Sequence, residues 1–355
     1  MLSTTSVQLD TAPTPPRAPR LSWRERLICV AAAVAVIPTS QLLHEVLNHG
    51  VIGCIFTGGR FAHVSSGTLS CDYPSLPSNS GRWTGASGAT MDMIYSVLAL
   101  LIIRVLPDKP SKPCLTFLLS LYAITEWSRS FGYFMASPLL GWGDFGDPTY
   151  GAFAGLPDGA FYGIAAVLTV VGIVAYVAGV ALCAALLVCF AATQTAVETT
   201  AEAETHVISK WPIGREERSA EGCCTPAWWA RRTRLCEMVF LFWVFGPILS
   251  NAVYSAVQGT VIAFLIIGVT GALSSIVFPL VPWYMTVPPI QKLAARMQRG
   301  LKHEQAVPLH TISTAATAAL AAVALGLFAL YCAFTPGVPY GWVDDLNATA
   351  SNATA

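Results

Sequence analysis

The chain has 355 residues, of which 54% are hydrophobic and 11% charged, with a formal net charge of zero. Soluble proteins carry roughly 25% charged residues, and the mean hydropathy of +0.57 is high. An ordinary water-soluble domain is therefore excluded, and the absence of a basic bias leaves no case for nucleic acid as a partner. The composition predicts an all-α integral membrane protein whose helices are apolar nearly all round and whose environment is the lipid bilayer.

In chain order, residues 1–26 are polar and proline-rich ("TAPTPPRAPRLSWRER") with no apolar core ahead of them. They do not fit a secretory signal peptide. They predict a disordered cytoplasmic tail leading into an uncleaved anchor helix. A membrane helix needs roughly 20 mainly apolar residues, and seven stretches qualify. They are Leu27–Ile55, Trp83–Val105, Pro113–Leu139, Ala160–Ala192, Cys236–Gln258, Thr260–Met285 and Thr311–Phe334. The first three belong to a core over residues 27–150. A long, uncharged fourth helix falls in residues 151–192, where Ala175 and Gly179 make a small-xxx-small packing face. A loop over residues 193–235 follows, then three more helices within residues 236–335 and a tail over residues 336–355.

Lys and Arg set the expected orientation. The N-terminal tail and the loops after spans two, four and six hold nearly all of them, and the alternate loops hold only Arg60 and Arg82. The positive-inside rule then places the N-terminus in the cytoplasm and the C-terminus outside. The final "LNATASNATA" agrees. Its two N-x-T sequons, at Asn347 and Asn352, are glycosylation candidates only on the non-cytoplasmic side. In the loop before span five, "EGCCTPAWWARR" sets Cys223 and Cys224 beside paired Trp and Arg, as in lipidated juxtamembrane segments. Cys54 and Cys71 flank the first outer loop. They could pair in an oxidising space, but the preferred reading of each is a small buried apolar side chain.

Ionisable groups inside a span are costly and mark function. "HEVLNHGVIGCIFTGGRFAHV" places His44, Glu45 and His49 at the outer end of span one. A His-Glu pair followed by a second His is the core of a zinc hydrolase helix, with the Glu as general base. The usual spacing is H-E-x-x-H, which puts both imidazoles on one helix face. Here Asn48 occupies that position and the second His comes one residue later. A π-bulge would restore a common face. Alternatively Asn48 is a weak oxygen ligand, or the helix ends before His49. A third ligand is needed. "GWGDFGDPTYG" supplies Asp144 and Asp147 just past span three, on the same side as His44 by the Lys and Arg topology. His63 in the outer loop is a weaker candidate. Span three carries Glu126 and Arg129, expected as an i,i+3 ion pair with a structural or indirect role at the site. Asp92 in span two has the chemistry to hydrogen-bond a ligand His and fix its tautomer.

The pattern resembles the site-2 protease family of intramembrane zinc metalloproteases. "HEVLNHGVIGCIFTGGRFAHVSSG" resembles the family's first helix, Gly-rich turn and extended segment. "WTGASGATMD" resembles its small-residue helix start, and "GWGDFGDP" stands where its Asp motif belongs. The similarity covers roughly residues 40–150. The familiar "LDG" form is absent, and the second His is displaced by one. The resemblance implies Glu45 as catalytic base, with His44, His49 and one of Asp144 or Asp147 holding Zn2+. It also implies a membrane-embedded or membrane-adjacent polypeptide as substrate. The rival expectation is a non-catalytic membrane protein. That would be a pseudoprotease-type binding protein, or a transporter with Asp92, Glu126 and Arg129 along its path.

Overall fold

The structure is a computed structural model. It describes residues 20–73, 79–106, 112–141, 143–147, 151–203, 226–258, 288–298 and 309–336. The fold is mostly helical, at 84%. Helix α1 spans Trp23–Leu42 and runs without a break into a π-helix, Leu43–Cys54. A single turn at Ile55–Thr57 leads to strand β1, Arg60–Val64, and strand β2, Leu69–Asp72. Helices α2 (Asn79–Val105), α3 (Pro113–Leu140) and the one-turn α4 (Gly143–Gly146) follow. Then come α5 (Asp158–Ala203), α6 (Pro226–Trp243), a π turn at Val244–Ile248 and α7 (Leu249–Gln258). Helices α8 (Pro288–Gln298) and α9 (Thr314–Phe334) are the last among the described residues.

Five of these helical runs are long and apolar enough to cross a membrane: Trp23–Thr57, Asn79–Val105, Asp158–Leu187, Thr233–Tyr254 and Thr314–Phe334. Helix α3 has the length, but with Glu126 and Arg129 in its middle it is not among them. The sixth expected span, Thr260–Met285, lies outside the described residues, as do Cys223, Cys224, Asn347 and Asn352.

Several boundaries differ from expectation. The first helix starts at Trp23 rather than after residue 26, because Ser22 and Glu25 form a capping box. The Ser22 amide donates to the Glu25 carboxylate at 2.8 Å, which satisfies an orphan donor of the first turn. Glu25 also pairs with Arg234, and Arg26 meets Glu237 at 2.7 Å. These two ion pairs tie the start of α1 to α6. Helix α5 runs to Ala203 and α6 begins at Pro226, so helix enters the expected loop over residues 193–235 from both ends. The all-α expectation is also corrected. Strands β1 and β2 form an antiparallel hairpin, with Arg60 opposite Asp72 and Val64 opposite Leu69. "RFAHV" is too short for a helix, and its Phe61 and Val64 are buried beside Cys54.

A third correction concerns the cysteines of that cluster. Cys54 and Cys71 form a disulfide that closes 17 residues, where unpaired apolar packing was preferred. Cys54 is buried and Cys71 partly so; the missing signal was the hairpin, which brings Cys71 back over the end of the π-helix.

Helix α3 is the hub, packed on α2, α5 and α1, while α1 packs on α9 and α6. The main core draws Ile28, Ala32 and Val36 from α1, Phe117, Leu121 and Ile124 from α3, and Phe242 from α6. The small-residue face of α5 seats an indole. Trp127 Nε1 donates to the Ala175 carbonyl at 2.9 Å, and a side chain at Gly179 would collide with the Trp127 ring.

Candidate metal centre

The site is built on the π-helix. In an α-helix, residues four apart share a face; i→i+5 bonding makes five the spacing that does. His44 and His49 are five apart in the π segment, and their ring centroids lie 4.7 Å apart. The Nε2 atoms approach to 3.2 Å. The one-residue offset in the motif is thus absorbed by backbone register. The distortion is broader than a single bulge, covering all twelve residues Leu43–Cys54.

Each imidazole is fixed from behind. His49 Nδ1 lies 2.6 Å from the Thr84 carbonyl. A carbonyl can only accept, so Nδ1 carries the proton and Nε2 keeps its lone pair. His44 Nδ1 lies 2.7 Å from Asp92 Oδ2, and an ionised Asp92 imposes the same tautomer. Asp92 is itself held, since Asn48 Nδ2 donates to its Oδ1 at 3.1 Å and Tyr95 donates to Asn48 Oδ1 at 3.0 Å. Asn48 is therefore occupied as a buttress and is not a ligand.

The third group arrives from α4. Asp144 Oδ1 is 3.3 Å from His49 Nε2, and Oδ2 is 3.8 Å from His44 Nε2. The Ala89 amide donates to Oδ2 at 3.1 Å. Ser137 Oγ, on the last turn of α3, accepts from the Phe145 and Gly146 amides at 3.0 Å each. This seats α4 on α3 and aims Asp144 inward. Asp147 follows α4 directly, is half-buried and lies outside this group. His63 lies in the hairpin opposite Ser70 and is outside it too.

His44, His49 and Asp144 offer donor atoms that all lie within 4.8 Å of one another, and all three residues are buried. This group can hold a metal ion. Two imidazole lone pairs and a carboxylate facing one another repel unless a cation or a proton sits among them. Glu45, also buried, has His44, His49 and Asp144 as its electrostatic neighbours.

Two further residues shape the site. Gly88, from "GASGATMD", permits the approach of α2. A Cβ there would lie 2.2 Å from His49 Nε2 and 2.8 Å from Asp144 Oδ2. Tyr133 stacks on the His44 ring at 5.2 Å between centroids and 11° between planes. Its position seven residues after Glu126, on the same face of α3, was the available signal.

The expected Glu126–Arg129 ion pair is not formed. Arg129 Nη1 donates to the Ser40 carbonyl at 2.7 Å, and both Glu126 oxygens are buried without a hydrogen-bond partner. Glu126 stays an electrostatic neighbour of Arg129, but the guanidinium makes its short hydrogen bond to backbone.

No protein-family model matches the chain, and no curated protein or solved structure matches it.

Proposed function

We propose that the chain is a membrane-embedded zinc hydrolase, a divergent relative of the site-2 protease family, that cleaves membrane-embedded or membrane-adjacent polypeptides. The observation that carries this reading is the donor set: two imidazoles with Nδ1 occupied and Nε2 free, one carboxylate, and a glutamate beside the first histidine. Two nitrogens at about 2.0–2.1 Å from one tetrahedral ion are about 3.3 Å apart. The 3.2 Å between the two Nε2 atoms fits that spacing. Histidine and carboxylate ligands suit zinc, and three protein ligands are the number used by catalytic sites that keep a fourth position open. Zinc bound there would supply Lewis acidity and lower the pKa of water.

The chain's own residues do the rest. The Glu45 carboxylate takes a proton from the attacking water as oxygen bonds to the peptide carbon. It then delivers that proton to the amide nitrogen as the C–N bond breaks. Asp92 and the Thr84 carbonyl hold the imidazoles in the metal-binding tautomer throughout.

The membrane setting rests on surface as well as span length. Val167, Val170, Val171, Val174 and Val177 form an exposed stripe on α5, and Val97, Leu98, Leu101 and Ile102 form one on α2. Apolar faces of that extent need lipid or a partner over them. The Lys and Arg distribution orients the chain with its N-terminus in the cytoplasm.

The test is metal analysis of the purified full chain together with a peptidase assay on membrane polypeptides. Wild type should hold one zinc ion; His44→Ala, His49→Ala and Asp144→Ala should lose it. Glu45→Gln should keep zinc and lose cleavage. Folded wild type without stoichiometric metal would sink the site. Zinc without any cleavage would leave a metal-binding, non-catalytic protein.

A further inference from the structure

We propose that Arg129 is a positioning residue for the metal site: it serves the backbone where α-helix gives way to π-helix, and so holds His44 and His49 in the register that lets them share an ion. This rests on the metal-binding reading and is independent of whether the chain hydrolyses anything.

The argument starts from the motif. With five residues between the histidines, a common face requires i→i+5 bonding, and the structure has it from Leu43 onward. A change from i→i+4 to i→i+5 shifts the ladder by one residue and disturbs regular pairing at the junction, where the Leu43 amide is shared between the Thr39 and Ser40 carbonyls. In an apolar interior a carbonyl with only a shared donor is poorly satisfied. The junction lies at Leu42–Leu43, and Ser40 is in the last α-helical turn before it. Arg129 Nη1 reaches that carbonyl from α3 at 2.7 Å. The far end of the π-helix is served in the same way. The Gly53 carbonyl accepts from Thr84 Oγ1 at 2.8 Å, from Tyr73 Oη at 3.1 Å, and from Thr57 Oγ1. Side-chain donors thus meet backbone carbonyls at both ends of the segment that carries the ligands.

Arginine suits the task because it stays charged and presents five donors in a fixed fork. Its charged surroundings are Glu126 on its own helix, Asp92 on α2, Glu45 on the π-helix, and the Tyr133 phenol. The competing account is that Arg129 is only a counter-ion for Asp92 and Glu126. The geometry favours the backbone role, since the short bond goes to Ser40 and Glu126 receives none.

The two accounts separate on metal binding alone. Full-length protein in detergent would be compared as wild type, Arg129→Met, Arg129→Lys, Glu126→Gln and the double variant Arg129→Met/Glu126→Gln. Readouts are zinc affinity by chelator competition, the visible spectrum of the cobalt-loaded protein, and hydrogen exchange over Leu43–Asn48. The full Cys54–Cys71 disulfide serves as the folding control. Arg129→Met should weaken zinc binding about 10–100-fold, the range for residues that orient ligands. It should also alter the cobalt spectrum and speed exchange. Arg129→Lys should show the same changes at smaller size, and Glu126→Gln should bind as wild type. The double variant removes the charge imbalance but leaves the Ser40 carbonyl with only its share of the Leu43 amide, so it should stay weak. Recovery of wild-type affinity in the double variant would overturn the proposal, as would an unaffected Arg129→Met. If Arg129→Met does not fold, Arg129→Lys decides: wild-type affinity and exchange there would overturn the proposal. Wild type that binds neither zinc nor cobalt would sink the metal site itself, a distinguishable failure.

Discussion

Gly88→Ala tests the site without touching a ligand. The added Cβ would stand 2.2 Å from His49 Nε2, 2.5 Å from Cε1 and 2.8 Å from Asp144 Oδ2. Ordinary van der Waals contact begins near 3.4 Å, so the donor nitrogen must recede by roughly 1 Å, against the ~0.2 Å that metal–ligand distances tolerate. The ring cannot simply swing aside, because its Nδ1 is held by the Thr84 carbonyl at 2.6 Å. Overpacking of a fitted interior costs about 1–3 kcal/mol, which is about 5- to 150-fold in affinity at tenfold per 1.4 kcal/mol. Zinc affinity, measured by competition with a chromogenic chelator, should fall by that amount. Gly132→Ala is the control. It lies within α3 with no atom near its added Cβ, so it should bind zinc as wild type and gain about 0.5–1 kcal/mol of helix stability. Gly88→Ala with wild-type zinc affinity would refute the placement of α2 against His49.

Three further outcomes are expected. Asp92→Asn should weaken zinc binding about 10–100-fold, since His44 loses the carboxylate that fixes its tautomer; unchanged affinity would remove Asp92 from the site. In protein made in an oxidising compartment, Cys54 and Cys71 should resist alkylation until reduced, and Cys54→Ser should lower the thermal midpoint by the equivalent of about 3 kcal/mol, the value for a loop near this length. Free thiols at both positions would count against the hairpin. Made in a glycosylating eukaryotic host, the protein should shift in mobility on endoglycosidase treatment, and Asn347→Gln with Asn352→Gln should abolish the shift; a C-terminal tag reachable only from the cytoplasm would reverse the orientation.

Some of this was legible in the sequence because it depends on length and composition. Apolar runs long enough to cross a membrane mark most of the helices, and Ala175 and Gly179 marked the face on which Trp127 sits. Helix ends were less legible. Glu25 reads as a tail charge until Arg234, about two hundred residues later, is placed beside it. An extended segment was expected after the Gly-rich turn, but its pairing into a hairpin was hidden for a similar reason. "RFAHV" and "LSCD" have no strong alternation, and what makes them strands is each other, together with a disulfide whose two halves the sequence shows only as isolated cysteines.

The site illustrates how a local spacing rule can fail while the residues it singled out still come together: His44, His49 and Asp144 form a group that could hold a metal. On α-helical geometry His44 and His49 point apart, and Asn48 looks like the misplaced ligand. Backbone register is cooperative, so it cannot be read from six residues. It is set by groups that meet the helix from outside: Arg129 at the Ser40 carbonyl, and Thr57, Tyr73 and Thr84 at the Gly53 carbonyl. None of the four is within a turn of the histidines in sequence. With the π register in place, Asn48 turns away from the ion position and toward Asp92. There it supports the carboxylate that fixes His44. The extra residue in the motif therefore has a physical use. It moves an amide side chain from the metal-facing side to the side that orients a ligand, while the two Nε2 atoms remain 3.2 Å apart.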